Sequence, residues 1–126
     1  MEERKIVLVE DDDDTRTLLK FLLESEGYNV TTADDGRRAM EIVESMQPDI
    51  LITDLMMPKV SGLELIRHTR QLHPAIPILL LSGNGDVIKY DALEAGATRI
   101  FVKPFDTDEL LKTVKALSLR HREYNA

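Results

Sequence analysis

The sequence predicts an α/β domain with a doubly wound, five-stranded parallel sheet, and three observations carry that reading. Five short apolar runs of strand length, within residues 5–9, 28–33, 50–52, 78–81 and 99–102, alternate with five stretches whose apolar residues recur at helical spacing. Glycine or proline punctuates the junctions, at Gly27, Gly36, Pro48, Pro58, Pro74, Pro77, Gly96 and Pro104. Finally, the first, third, fourth and fifth runs stop abruptly at groups able to do chemistry: Glu10 and Asp11, Asp54, Ser82, and Lys103.

The first strand is an unbroken apolar, β-branched-rich run from Ile6, as expected of a strand buried on both faces, and it ends in Glu10-Asp11-Asp12-Asp13-Asp14. Leu18, Leu19, Leu22 and Leu23 then lie on one helix face, and Gly27 stops that helix. Asn29 and Thr31 make the second strand less buried than the first. Asp34-Asp35-Gly36 turns into a helix with Ala39, Met40 and Val43 inward. Pro48 precedes the central strand Ile50-Leu51-Ile52, which stops at Asp54, and Pro58 forbids regular continuation. A third helix, from about Ser61 to Leu72, carries Leu63, Leu65, Ile66 and Thr69. Ile78-Leu79-Leu80-Leu81 is a fourth buried strand, followed by a permissive Gly83-Asn84-Gly85 loop and a helix over roughly residues 87–95 closed by Gly96. Arg99-Ile100-Phe101-Val102 is the fifth strand, and Thr107 is the expected cap of a last helix bearing Leu110, Leu111, Val114 and Leu117.

With 126 residues the chain forms one domain that can bury a proper core. Sixteen lysines and arginines against 23 acidic residues give a formal charge of -7, which argues against direct nucleic-acid binding. The absence of cysteine excludes disulfides and thiolate metal sites. No apolar run approaches membrane-spanning length, and Met-Glu-Glu-Arg-Lys at the start lacks the apolar region of a signal peptide. A soluble cytoplasmic protein without direct membrane contact is the expectation.

By itself Asp54 reads equally well as a turn cap, Ser82 as a turn residue and Lys103 as a solvated lysine. Asp13 and Asp14 read as a solvated helix start, with Asp12 open between the two readings. In a doubly wound sheet with its switch point near the first strand, however, all four strand ends converge on one crevice. Three carboxylates there must either hold protons or bind a cation. Glu10, Asp11 and Asp54 supply three negative charges, which Lys103 and one divalent metal would balance. An oxygen-only site with few protein ligands suits Mg²⁺. Asp54 would then attack a phosphoryl group, with Ser82 and Lys103 as donors to the transferred oxygens.

These residues resemble the receiver domain of two-component response regulators. The resemblance runs from about residue 5 to residue 119, leaving residues 120–126 as a tail or the start of a linker. It rests on Val9-Glu10-Asp11, on Thr53-Asp54-Leu55-Met56-Met57-Pro58 with Gly62, on Leu81-Ser82-Gly83 and on Val102-Lys103-Pro104-Phe105. It implies a (βα)5 flavodoxin-like fold with strand order 2-1-3-4-5. It also implies that Asp54 accepts phosphate from the phosphohistidine of a sensor histidine kinase or phosphotransfer protein. Asp11, Asp54 and the Met56 main-chain carbonyl would bind Mg²⁺, and Glu10 would act through metal-bound water. Ser82 and Lys103 would meet phosphoryl oxygens, Gly83 would leave the approach open, and the Lys103-Pro104 bond would be cis. The chain would be a signalling phosphoacceptor and not an enzyme in its own right. Its output face would be the fourth helix, fifth strand and fifth helix, drawing on Lys89, Tyr90, Glu94, Arg99 and the exposed side of residues 109–115. Phosphorylation would change partner binding or self-association, including a phosphorylation-dependent homodimer.

The sequence departs from the family pattern at Glu10, where aspartate is usual, and at Ile100, where the usual switch aromatic is missing. Met56 and Asn84 occupy the variable positions that tune phosphate lifetime, and apolar Met56 cannot activate a hydrolytic water. Met56 also disfavours a phosphatase, whose second aspartate would fall there. The acidic run after the first strand would repel the phosphate of a flavodoxin-like cofactor, and it lacks the glycine and glutamate of a calcium loop. The remaining alternative is a receiver-like interaction module that is never phosphorylated.

Overall fold

Strict alternation along the strands divides the core into two halves. The computed structural model describes residues 3–57, 59–83 and 85–125, with the backbone alone for 85–88 and 120–125. Pro58 and Asn84, both singled out from the sequence, lie outside the described residues. In chain order the elements are β1 (Lys5–Val9), α1 (Asp13–Ser25), β2 (Asn29–Ala33), α2 (Gly36–Ser45), β3 (Ile50–Asp54), α3 (Gly62–Leu72), β4 (Ile78–Ser82), α4 (Gly85–Ala95), β5 (Arg99–Val102) and α5 (Thr107–Asn125). All neighbouring strands are parallel, in the order β2-β1-β3-β4-β5. Both the fold and the strand order expected from the sequence are found.

Ile6, Leu8, Ile50, Ile52, Leu79, Leu81 and Phe101 face α1 and α5, where they meet Leu19, Leu23, Leu110 and Val114. Val7, Val9, Leu51, Ile78 and Leu80 face the other way, against Ala39, Ile42 and Val43 of α2, Leu65 and Ile66 of α3, and Ala92 and Ala95 of α4. This two-sided burial explains why β1, β3 and β4 read as continuous apolar runs. β2 and β5 form the edges and alternate with exposed or half-exposed positions.

The local signals hold, with departures at the cap of α5, at Leu18 and at the bounds of α4 and α5. Gly27 and Gly96 end α1 and α4 at φ +93° and +120°. Each closes a helix end in which the next residue's N–H reaches back to the last turn, Tyr28 to Leu23 and Ala97 to Ala92. Asp12, Asp35 and Ser61 cap α1, α2 and α3 by accepting from Thr15, Arg38 and Glu64 N–H. The cap of α5 is Asp106 and not Thr107: its carboxylate accepts from the N–H groups of Asp108 at 2.8 Å and Glu109 at 3.3 Å. Leu18 is not inward but 51% exposed, and neighbouring Phe21 is 67% exposed, because the buried stripe of α1 runs through Leu19 and Leu23. Helix α4 starts at Gly85, and α5 continues to Asn125 through most of the segment read as a tail. No helix among the described residues is long and apolar enough to cross a membrane.

Gly62 matters because α3 begins directly against the end of β3. Its N–H donates to the Leu55 carbonyl at 2.8 Å, and a Cβ there would lie 2.4 Å from the Asp54 carbonyl oxygen and 2.8 Å from the Leu55 Cα. Both obstacles are backbone, so neither can rotate away. A Cβ at Gly83 meets nothing within 4 Å, so the protein itself does not demand glycine there. Gly62→Ala is therefore expected to cost roughly 2 kcal/mol in urea unfolding, while Gly83→Ala changes stability by less than about 0.5 kcal/mol.

Candidate functional site

The alternation that builds the core also aims the site residues. Glu10 continues the Ile6 and Leu8 positions of β1, Asp54 those of Ile50 and Ile52 in β3, and Lys103 that of Phe101 in β5. All three therefore emerge at the carboxyl edge of the sheet on the α1 and α5 side. Lys103 Nζ stands 2.9 Å from Glu10 Oε1 and 3.2 Å from Asp54 Oδ2. Glu10 is fully buried and Asp54 is 7% exposed. Asp11, on the loop between β1 and α1, is exposed at the rim. One carboxylate oxygen from each of Glu10, Asp11 and Asp54 lies within 4.8 Å of the others.

Backbone donors fix the two buried carboxylates. Asp12 N–H donates to Glu10 Oε2 at 3.2 Å, and Leu55 N–H donates to Asp54 Oδ1 at 3.0 Å. Ser82 is buried at the end of β4, one residue past Leu81, the register partner of Asp54. Its carbonyl accepts from Lys103 N–H at 2.7 Å, which ties β4 to the lysine's own backbone. The Lys103-Pro104 peptide bond is cis, and Phe105 beyond it packs edge-on against Phe101 with centroids 6.2 Å apart. Met56 follows two residues after Asp54, with its side chain 76% exposed.

Burial raises the proton affinity of Asp54 to a pKa of about 7 from its ordinary 3.8, and the hydrogen bond with Glu10 and the Glu10 charge add to it against the pull of Lys103. Burial opposes the charge on Glu10 too, but hydrogen bonds from Asp54, Lys103 and the Asp12 N–H outweigh it and hold its pKa below the ordinary value. Lys103 is raised: burial disfavours its charge, and the Glu10 hydrogen bond and the neighbouring carboxylates more than restore it. Of the two buried carboxyls, Asp54 is thus the one that takes the proton. After Lys103 is counted, three ionised carboxylates leave two negative charges without a counterpart, and their donors are all hard oxygens. The residues present fit one small divalent cation.

Arg16 is a participant the sequence reading missed. Its guanidinium donates to the Glu10 carbonyl at 2.9 Å and pairs with Asp13 at 2.5 Å. The open question over Asp12 is settled as well: its carboxylate caps α1, accepting from Thr15 N–H at 2.8 Å and Thr15 Oγ1 at 2.7 Å.

The family model described as the response regulator receiver domain matches residues 6–115, a span that holds every one of these groups. The chain belongs to that family. The receiver match extends to the PhoP alkaline phosphatase synthesis transcriptional regulatory protein of Bacillus subtilis (strain 168), 39% identical over 124 residues. That alignment takes in 98% of this chain and 51% of PhoP, so the chain spans about half the length of this curated relative. Among solved structures, Vibrio cholerae chemotaxis protein CheY4 superposes with a TM-score of 0.85 at 32% identity, over 92% of this chain and 99% of CheY4. The receiver domain of sensor histidine kinase PA1611 from Pseudomonas aeruginosa PAO1 gives 0.85 at 28% identity, over 93% of this chain and 98% of its own. That crystal structure has a magnesium ion coordinated in the active site cleft.

The raised Asp54 pKa has a consequence for stability with a definite sign. A carboxyl whose folded pKa exceeds its unfolded one stabilises the fold fully below the unfolded value, here 3.8, and that contribution is lost as pH rises through about 7. With a chelator present, Asp54→Asn should therefore raise stability at pH 8 by on the order of 1 kcal/mol, less than the bare shift implies because the site mouth is open to water. Thermal unfolding from pH 4 to pH 8 should show that gain shrinking towards zero at the acid end.

Proposed function

We propose that this receiver domain is a phosphoacceptor in which Asp54 takes a phosphoryl group from a phosphohistidine on a sensor histidine kinase or phosphotransfer protein. The observation that carries the reading is the grouping of Asp54 with Glu10, Asp11 and Lys103 in a half-open, charge-deficient site. An ionised Asp54 carboxylate oxygen would form a bond to phosphorus as the phosphorus–nitrogen bond breaks. The imidazole would leave neutral, its electron pair returning to the nitrogen that held phosphorus and its proton remaining on the other ring nitrogen of the donor. Lys103, already within 3.2 Å of Asp54, would follow one phosphoryl oxygen, and Ser82 would donate to another. Asp11, Asp54 and the Met56 main-chain carbonyl would hold Mg²⁺, with Glu10 acting through its bound water. When bound, the ion would neutralise charge on the transferring phosphoryl group. Since the chain receives the group on its own side chain, it acts as a signalling component and not as a turnover enzyme.

Access supports this assignment. A largely apolar groove of about 430 Å³ opens beside Lys103, lined by Thr15, Leu18, Leu19, Pro104, Phe105 and Thr107. Leu18 and Phe21 extend its apolar surface along α1. A protein donor seated there would bring its phosphohistidine to the mouth of the site, and two exposed large apolar side chains at one spot are a suitable anchor.

The output would leave from α4, β5 and α5, as partner binding or self-association controlled by phosphorylation. Tyr90, Leu93 and Val102 are 76%, 49% and 49% exposed. Lys89, Glu94 and Arg99 are also exposed on these elements. Arg99 lies 4.0 Å from Glu109 and stacks over Phe101 at 5.2 Å. Ile100, in the position of the usual aromatic, is half-buried against the core facing α2, α3 and α4, so any coupling must run through aliphatic packing.

Incubation with acetyl phosphate and Mg²⁺, followed by intact mass, should show one phosphoryl group gained and none in Asp54→Asn. No gain from acetyl phosphate, phosphoramidate or a phosphorylated donor protein would leave the unphosphorylated interaction module as the correct reading. Phe21→Ala combined with Leu18→Ala should slow transfer from a protein donor by about tenfold or more, as loss of two interface anchors implies. The same double variant should leave labelling by acetyl phosphate within about twofold, because the small donor does not use the groove.

A further inference from the structure

We propose that Arg16 is a positioning residue that sets how tightly the acidic cluster takes up a divalent cation, by holding the main chain that carries Glu10 and Asp11; this inference rests on the reading of the site given above. Arg16 lies near the start of α1 and turns its guanidinium back towards the sheet. One nitrogen donates to the Glu10 carbonyl at 2.9 Å and the other pairs with Asp13 at 2.5 Å, with the side chain only 20% exposed. Neither bond goes to a carboxylate of the cluster. Both go to the ends of the short segment on which two of its three members sit.

That segment needs holding. The β1 ladder gives out at Glu10, whose N–H donates to the Ala33 carbonyl at 3.1 Å, and the helix takes over when Arg16 N–H donates to the Asp12 carbonyl at 2.9 Å. Asp11 falls between, exposed at the rim, so its place follows from those of its neighbours. Its oxygen shares a 4.8 Å neighbourhood with those of two other carboxylates, and mutual repulsion favours its swinging outward. Glu10 and Asp54 are fixed by burial and by Lys103, which leaves Asp11 as the member free to yield. Arg16 opposes that movement by joining strand end to helix start. The planar fork of arginine can hold a carbonyl and a carboxylate at once, which an ammonium on a flexible stem does poorly.

Two accounts of an arginine near a cation site predict opposite signs. As a bare positive charge it repels the ion, and its removal tightens binding. As a tether it pre-orders a ligand, and its removal weakens binding, because the cost of ordering then falls on the ion. Titration of Mg²⁺ into ¹⁵N-labelled wild type, Arg16→Met and Arg16→Lys, following the Glu10 and Leu55 amides, separates them. The tether predicts an apparent Kd raised by about tenfold in Arg16→Met, in the range found for residues that support metal ligands. It predicts a rise of at least about twofold in Arg16→Lys, which keeps the charge but not the fork. With acetyl phosphate, the Mg²⁺ concentration for half-maximal labelling should rise in parallel, while the rate at saturating Mg²⁺ stays within about twofold. Circular dichroism of each variant checks folding, and if Arg16→Met does not fold, Arg16→Lys decides, since a charge-only role leaves its affinity unchanged. Equal or tighter Mg²⁺ binding in Arg16→Met, or unchanged binding in Arg16→Lys, overturns the tether while leaving the site reading intact. A wild type that takes up no Mg²⁺ and no phosphoryl group overturns both.

Discussion

Lys103 bridges two buried carboxylates, 2.9 Å from Glu10 and 3.2 Å from Asp54, and the site depends on that bridge. Removing two carboxylates from water is expensive, and one ammonium cannot neutralise both. The sheet makes the arrangement tolerable by rigidity: β1, β3 and β4 are buried on both faces, so the ends that carry Glu10, Asp54 and Ser82 cannot separate to relieve repulsion. The remaining charge has to be met chemically. In the protein alone a proton on Asp54 meets it, consistent with a pKa of about 7.

The same shortage of positive charge gives the site a direction. A group that is buried, short of a counterion and open on one side favours whatever brings positive charge to that side. Backbone donors at Asp12 and Leu55 occupy one oxygen each of Glu10 and Asp54, and the Lys103 ammonium takes the other oxygen of both, while Asp11 stands exposed at the rim. Lys103 is anchored through its own N–H to the Ser82 carbonyl, which keeps the ammonium at the β4 and β5 side of Asp54. The pocket thus has a fixed cation on one side and an acidic rim on the other.

Much of this was legible in the sequence because it follows from short-range rules. Period-two burial at Ile6, Leu8 and Glu10, and again at Ile50, Ile52 and Asp54, aims both carboxylates to one side once the strands are parallel. Glycines 27 and 96 ended helices where expected. What escaped was set by competition between neighbours. Asp106 and Thr107 both have capping side chains, and adjacency alone does not say which reaches the free N–H groups. Leu18 shares helical spacing with Leu22, yet the sheet takes the stripe through Leu19 and Leu23 and leaves Leu18 beside the groove. Arg16 was overlooked because its link to the site is a bond to the Glu10 main-chain carbonyl, which no side-chain pattern marks; its spacing from Asp13 suggests only a helix-surface pair.

Arg70 shows how the rest of the fold constrains any signal that leaves the site. Its guanidinium donates to the carbonyls of Pro74 at 2.9 Å, Ile76 at 2.6 Å and Gly96 at 2.6 Å, so it clamps the end of α3, the approach to β4 and the turn after α4 together. Burial lowers its pKa, and carbonyl oxygens satisfy it where a carboxylate would be usual. The clamp also packs closely on Gly96, where a Cβ would lie 3.0 Å from the Arg70 Nε and the backbone holds φ +120°. The carboxyl end of α4 is therefore anchored, while its amino end follows directly from the Ser82 strand end. Were phosphorylation at the site to displace α4, the helix would have to pivot about the Arg70 clamp or break it. Pivoting costs less, because breaking the clamp would leave a half-buried guanidinium without its acceptors. With an aliphatic Ile100 at that place in β5, the geometry of such a pivot would fall to the packing of α4 on β5.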